Sequence, residues 1–241
     1  MTSKLLPWTL FLSMLSPMTQ AISIDSMLVF ANQNGEGTFT IGNTEDYRQF
    51  LNVVLYDLDI VDGEYVKTRY TSQNLADWEI SVKPARSILE PGFKKSFLAS
   101  YPTPKNLESD KLYQIGFVPT PYFDKENVPK QIMQMAVGFA AIFVVPTNKD
   151  YPIKYEMNYT GHTLNIKNTG KSLVNISVNG CSINTPKNKE EKCKIETTVF
   201  SGRDLTLNLP LTMQVPTLKV LLRTFKDKRV KRLTINKGGV I

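Results

Sequence analysis

The side chains from which this sequence could build chemistry are one histidine, two cysteines and a few clustered carboxylates, and none of them falls in a catalytic pattern. His162 has no nucleophile partner at a recognisable spacing, no Gly-rich loop opens a helix, and no Gly-x-Ser-x-Gly elbow is present. Asp57, Asp59 and Asp62 lie at a strand end and its Asp62-Gly63 turn, a place for solvated loop charges rather than an acid–base pair. Zinc needs about four ligands, which one histidine and two cysteines do not supply. The sequons at Asn158 and Asn175 matter only in a glycosylating host. The expectation is therefore a binding protein, with no catalytic residue, no metal and no cofactor.

The two cysteines, Cys181 and Cys193, flank a polar stretch containing Pro186, and in an oxidising compartment such a pair forms a local disulfide. The N-terminus implies that compartment. Lys4 precedes an apolar run from Leu5 to Met18, and Thr19-Gln20-Ala21 places small residues at −3 and −1 of a cleavage site, as in a secretory signal peptide cut after Ala21. Pro7 and Pro17 interrupt the run, which is shorter than the roughly 20 residues of a membrane span. The mature protein is thus expected to be exported and to have no membrane span.

A second chemical feature is a basic stretch near the end: Arg223, Lys226, Lys228, Arg229, Lys231, Arg232 and Lys237, opposed only by Asp227. Its charge suits phosphates, yet nucleic acid is a poor partner for an exported chain, and a solvated strand face is the plainer reading. An acidic protein partner stays open.

These residues need a scaffold, and the scaffold reads as strands. The segments Ser23 to Phe30, Gly37 to Ile41, Phe50 to Leu58, Tyr65 to Tyr70, Ile80 to Lys83, Lys94 to Ser100 and Tyr113 to Pro119 are rich in β-branched and aromatic residues. Turn formers such as Asn34-Gly35 and Pro91-Gly92 bound them. Seven short strands in this length predict an immunoglobulin-type sandwich. After a polar linker at Pro146 to Pro152, a second series runs through Thr163 to Asn168, Leu173 to Val178, Thr197 to Phe200, Leu205 to Leu209, Lys219 to Thr224 and Arg229 to Asn236. The fold expectation is all-β: two tandem immunoglobulin-like sandwiches, with a signal peptide at 1–21, an N-terminal domain at 22–146 and a C-terminal domain at 147–241.

One segment exceeds its scaffold duty. Gln131 to Val145 is hydrophobic and more than twice the usual strand length of about 5–6 residues. Ala and Met would also suit a helix there, but Gly138 and the β-branched end, Ile142-Phe143-Val144-Val145, argue for strand. Alternation puts Met133, Met135, Val137 and Phe139 on one face. An unprotected apolar edge strand invites another chain to pair with it, although the same residues could simply fill the protein's own core.

In combination these features resemble the periplasmic chaperones of bacterial chaperone–usher pilus assembly. The first strand, Ala21 to Phe30, follows the cleavage site directly, and Val82-Lys83-Pro84 leads to a Leu89-Glu90-Pro91-Gly92 turn. Tyr113 to Phe117 is similar to the family's penultimate strand and Gln131 to Pro146 to its last. The resemblance covers nearly the whole first domain, and the Cys181/Cys193 pair and the short loop from Asp124 to Lys130 look closer to an alternate class. It implies two sandwiches in a bent, boomerang arrangement. It also implies that strand 131–145 completes pilus (fimbrial) subunits by donor-strand complementation, with Met133, Met135, Val137 and Phe139 as the inserting face, and hands them to an outer-membrane usher.

One departure stands out. The family usually carries a basic pair in the interdomain cleft for the subunit's terminal carboxylate; ungapped matching puts Leu28 and Ala141 there, leaving the anchor unassigned and Arg48 a candidate substitute. The rival expectation is an exported immunoglobulin-like adhesin or pilus component that binds a host or matrix ligand. A strand that begins immediately after Ala21 leaves no room for the donor extension of a pilus subunit and favours the chaperone.

Overall fold

A computed structural model of the chain describes residues 22–102, 106–122, 138–182 and 185–241. The chain opens with two three-residue strands, β1 (Ile22–Ile24) and β2 (Leu28–Phe30), where the sequence predicts one continuous strand. Asp25 explains the break. Its backbone N–H donates to the carbonyl of Thr40 at 3.1 Å, and its Oδ1 accepts from the N–H groups of Ser26 at 2.8 Å and Thr40 at 2.9 Å. The backbone bends there and crosses from one sheet to the other.

The first sandwich continues with β3 (Glu36–Asn43), β4 (Gln49–Val61), β5 (Glu64–Arg69), β6 (Ser81–Lys83), β7 (Arg86–Leu89), β8 (Lys94–Ser100), β9 (Lys111–Pro121) and β10 (Phe139–Val145). One sheet has the order β1-β3-β8-β6, the other β2-β10-β9-β4-β5, with β7 also on β4. β2 runs parallel to β10; the other pairings of these strands are antiparallel. Alternate residues of each strand fill the space between the sheets, as the period of two requires. Phe117 sits at the centre, its ring 5.6 Å from that of Phe39 and 5.3 Å from that of Phe97, with Ile41, Leu51, Ile115 and Phe143 around them. β4 and β5 form a hairpin whose turn residues, Asp62 and Gly63, both have positive φ, as a tight primed turn demands.

The second sandwich comprises β11 (Tyr155–Tyr159), β12 (Thr163–Asn168), β13 (Val174–Asn179), β14 (Lys194–Val199), β15 (Asp204–Asn208), β16 (Thr217–Thr224) and β17 (Val230–Asn236), in sheets ordered β11-β12-β15 and β14-β13-β16-β17. Met157, Tyr159, Leu164, Ile166, Val178, Met213, Leu218 and Leu222 form its core. The end of the chain covers the edge of β11: Met157 and Ile241 exchange backbone hydrogen bonds at 2.7 and 2.9 Å, which blunts an otherwise open strand. Cys181 and Cys193 are joined by a disulfide.

A third apolar cluster joins the two sandwiches. Leu58, Leu112 and Val144 of the first meet Leu173 and Phe200 of the second, and Phe30 stacks on Phe225 with ring centroids 4.6 Å apart. Asp110 closes one side: its carboxylate accepts from the N–H of Thr147 at 2.7 Å and of Leu173 at 2.5 Å. The β4–β5 turn closes another. There Arg203 donates to the carbonyl of Gly63, pairs with Glu64 at 2.8 Å and lies over the ring of Tyr65, while the N–H of Asp204 also donates to Gly63 at 3.1 Å.

Candidate functional site

The site is built on the sheet face that adjoins this junction and on the edge of β10. Core residues fix which side chains face where. Ala141, Phe143 and Val145 point into the first core, so Ala140, Ile142 and Val144 point outward. Register then sets Arg69, Tyr56, Gln114, Ile142 and Leu28 side by side across five strands, one row above the apolar cluster that joins the sandwiches. The next row, Val54, Gly116 and Ala140, continues the face away from the junction.

The edge of β10 is half covered. The N–H of Ile142 donates to the carbonyl of Met27 and the carbonyl of Val144 accepts from Ala31, both at 2.8 Å, so the even-numbered residues direct their backbone groups toward β2. β2 ends its pairing at Ile142. Ala140 therefore aims its N–H and carbonyl at an edge that no strand of the described residues occupies, the arrangement on which another strand can add.

Of the expected inserting residues, Met133, Met135 and Val137 lie outside the described residues. Phe139 starts β10, packs partly against the first core and pairs with Phe117, so it shares the inward face with Ala141. Leu28 does stand on the face beside the junction, packed against the joining cluster. Ala141 does not: it is fully buried in the first sandwich, and Ile142 is the residue opposite Leu28. A step of one residue along a strand turns a side chain to the other face of a sheet, so Leu28 and Ala141 do not share a face. Arg48 is likewise displaced. It precedes β4 at the end opposite Leu58 and Ile60, and its Nε pairs with Glu90 at 2.8 Å.

The residues weighed for catalysis are scattered. His162 Nδ1 meets Gln214 Oε1 at 2.8 Å on the exposed surface of the second sandwich. Asp57 faces inward, where burial, and after it the charge of Asp59, raises its carboxyl above the ordinary range; Asp62 occupies the hairpin turn. Among the described residues no group of His, Cys, Asp and Glu is placed to hold a metal, and no helix is long and apolar enough to cross a membrane. Sequence reasoning passed over Arg69, Tyr56 and Gln114, which lie on three different strands and become neighbours only through register.

Residues 24–146, just over half of the chain, match the model of the CS5 fimbrial protein N-terminal domain. No curated protein matches the sequence. Solved structures are similar in fold. A chain of the Salmonella enterica SafA pilin in complex with the SafB chaperone gives a TM-score of 0.55 at 13% identity, covering 92% of this chain and 98% of that one. The E. coli chaperone DraB gives 0.52 at 12%, covering 89% and 95%. The class 5 fimbriae chaperone CfaA gives 0.51 at 12%, covering 88% and 98%. This chain belongs to the CS5 fimbrial protein N-terminal domain family, and its fold is the two-domain fold of the fimbrial chaperones.

Proposed function

We propose that the protein is a periplasmic chaperone of fimbrial subunits, one that pairs the strand 131–145 with an incomplete subunit and passes that subunit to an outer-membrane usher. The observation that carries the reading is the edge of β10 beside Ala140, which no strand among the described residues pairs, on a chain of a fimbrial family. Lending a strand satisfies the subunit's unpaired backbone and fills its apolar groove. Met133, Met135 and Val137 are the inserting side chains, and at about 1.5–3 kcal/mol each they contribute on the order of 5–9 kcal/mol before association costs. The same reading takes 1–21 as a cleaved signal peptide and divides the rest at 146/147.

Within it, the row Leu28–Ile142–Gln114–Tyr56–Arg69 is where a subunit's terminal carboxylate is received. Leu28 and Ile142 are apolar, so Gln114 and Arg69 are the groups to hold it; Arg69 is exposed and has no ion pair among the described residues. Co-expression with the cognate subunit tests the whole. A soluble one-to-one complex is expected from the native chain, none from Met135→Asp, and a complex weakened about tenfold from Arg69→Glu. A subunit that is equally soluble alone would end the chaperone reading.

A further inference from the structure

We infer that the outer face of the sheet β14-β13-β16-β17 is a docking surface for an extended acidic peptide segment of a protein partner, a site separate from the β10 edge and independent of the chaperone reading. Charge is unevenly divided along the chain: residues 147–241 hold 17 Lys and Arg against 7 Asp and Glu, whereas residues 22–146 hold 11 against 15. Register gathers part of that excess on one face. Its rows are Lys194, Asn179, Lys219, Thr234; then Glu196, Ser177, Leu221, Arg232; then Thr198, Asn175, Arg223, Val230. Glu196 is the sole carboxylate of these rows and is already held by Lys194 at 2.6 Å. Asp227 reaches Arg223 only at 3.8 Å, and Lys219 and Arg232 are exposed with no ion pair among the described residues.

The lining selects the kind of anion. Half-buried Leu221 lies midway between Lys219 and Arg223 on β16, while buried Ser177 is already hydrogen-bonded to Glu196, so the face offers an apolar patch between two cations. Those two cations, four residues apart on one strand, are about 13 Å from each other, which is the spacing of residues i and i+4 on one side of an extended peptide. The matching segment reads acidic, any, apolar, any, acidic. An anionic membrane is the less fitting partner, because the three rows contain no aromatic residue to seat at a lipid interface.

A fluorescein-labelled peptide with Glu-Thr-Leu-Thr-Glu at its centre, titrated against the full chain by anisotropy, tests the inference. The native chain should bind it, more weakly as salt is raised, and bind a shuffled peptide with adjacent glutamates markedly less. Lys219→Glu with Arg232→Glu should weaken binding by at least about tenfold, whereas the same charge change on the opposite sheet side, Lys154→Glu with Lys167→Glu, should alter it by less than about twofold. Lys219→Met with Arg232→Met repeats the comparison if the reversed charges impair folding, judged by the urea midpoint. Equal loss from both pairs, equal binding of the shuffled peptide, or sedimentation with phosphatidylglycerol vesicles that depends on Lys219 and Arg232 would each overturn it.

Discussion

Asp110 holds two segments at once, the linker through Thr147 and the second sandwich through Leu173, and both of its oxygens are occupied by backbone amides. Burial raises its carboxyl above the ordinary range, with those two hydrogen bonds pulling the other way. Removing the acceptor leaves two amides unpartnered at the junction, so Asp110→Ala should lower the unfolding free energy by about 2–4 kcal/mol in a urea titration. The pH dependence has a definite sign. On acidification the native carboxyl takes up a proton before the unfolded one does, so its contribution to stability rises as pH falls through the raised value and levels off below the ordinary one. The difference between the native chain and Asp110→Asn should therefore grow from pH 7 to pH 4. Nothing in the sequence marks this aspartate, because its partners are 37 and 63 residues away. Leu28, by contrast, is legible as an apolar residue of the first strand, and its neighbour on the face, Ile142, required the register.

Among the elements, the long strands were the most readable. The β-branched end, Ile142-Phe143-Val144-Val145, announces β10, and the Asp62-Gly63 pair announces the β4–β5 hairpin. The split of the first strand was not readable, since Asp25 breaks it through a contact with Thr40, fifteen positions on. β7 and β11 were also missed: Arg86–Leu89 and Tyr155–Tyr159 are short and polar at alternate positions, and they hold as strands through β4 and β12. The hairpin has a role beyond closing the sheet. Gly63 combines φ of 81° with a position where an added Cβ would fall 2.6 Å from the Cβ of Asp204 in the second sandwich. Gly63→Val should cost about 1–3 kcal/mol from the backbone conformation alone and should loosen the junction. Small-angle scattering would register a larger radius of gyration, and an unchanged radius would show that the turn does not set the domain arrangement.

On the scale of the molecule, two cores and a third cluster between them make one body in which the junction lies directly below the row Leu28–Ile142–Gln114–Tyr56–Arg69. The tandem-sandwich class was legible because turn formers punctuate strands at regular spacing; the joining cluster was not, because it draws one or two residues from each of four strands and three connecting segments. The disulfide ties a connection of the second sandwich, and replacing Cys181 and Cys193 by Ser should lower stability by about 2–4 kcal/mol in the urea titration.

The central claim is that the edge of β10 is lent to a partner strand. Backbone amide hydrogen exchange, recorded with and without a bound fimbrial subunit, reads that edge directly. Protection should appear on complex formation at Ala140 and at alternate amides through 131–138, with the Ile142 amide, already bonded to Met27, unchanged. Complex formation that leaves this segment exchanging freely and protects another face instead would contradict the account.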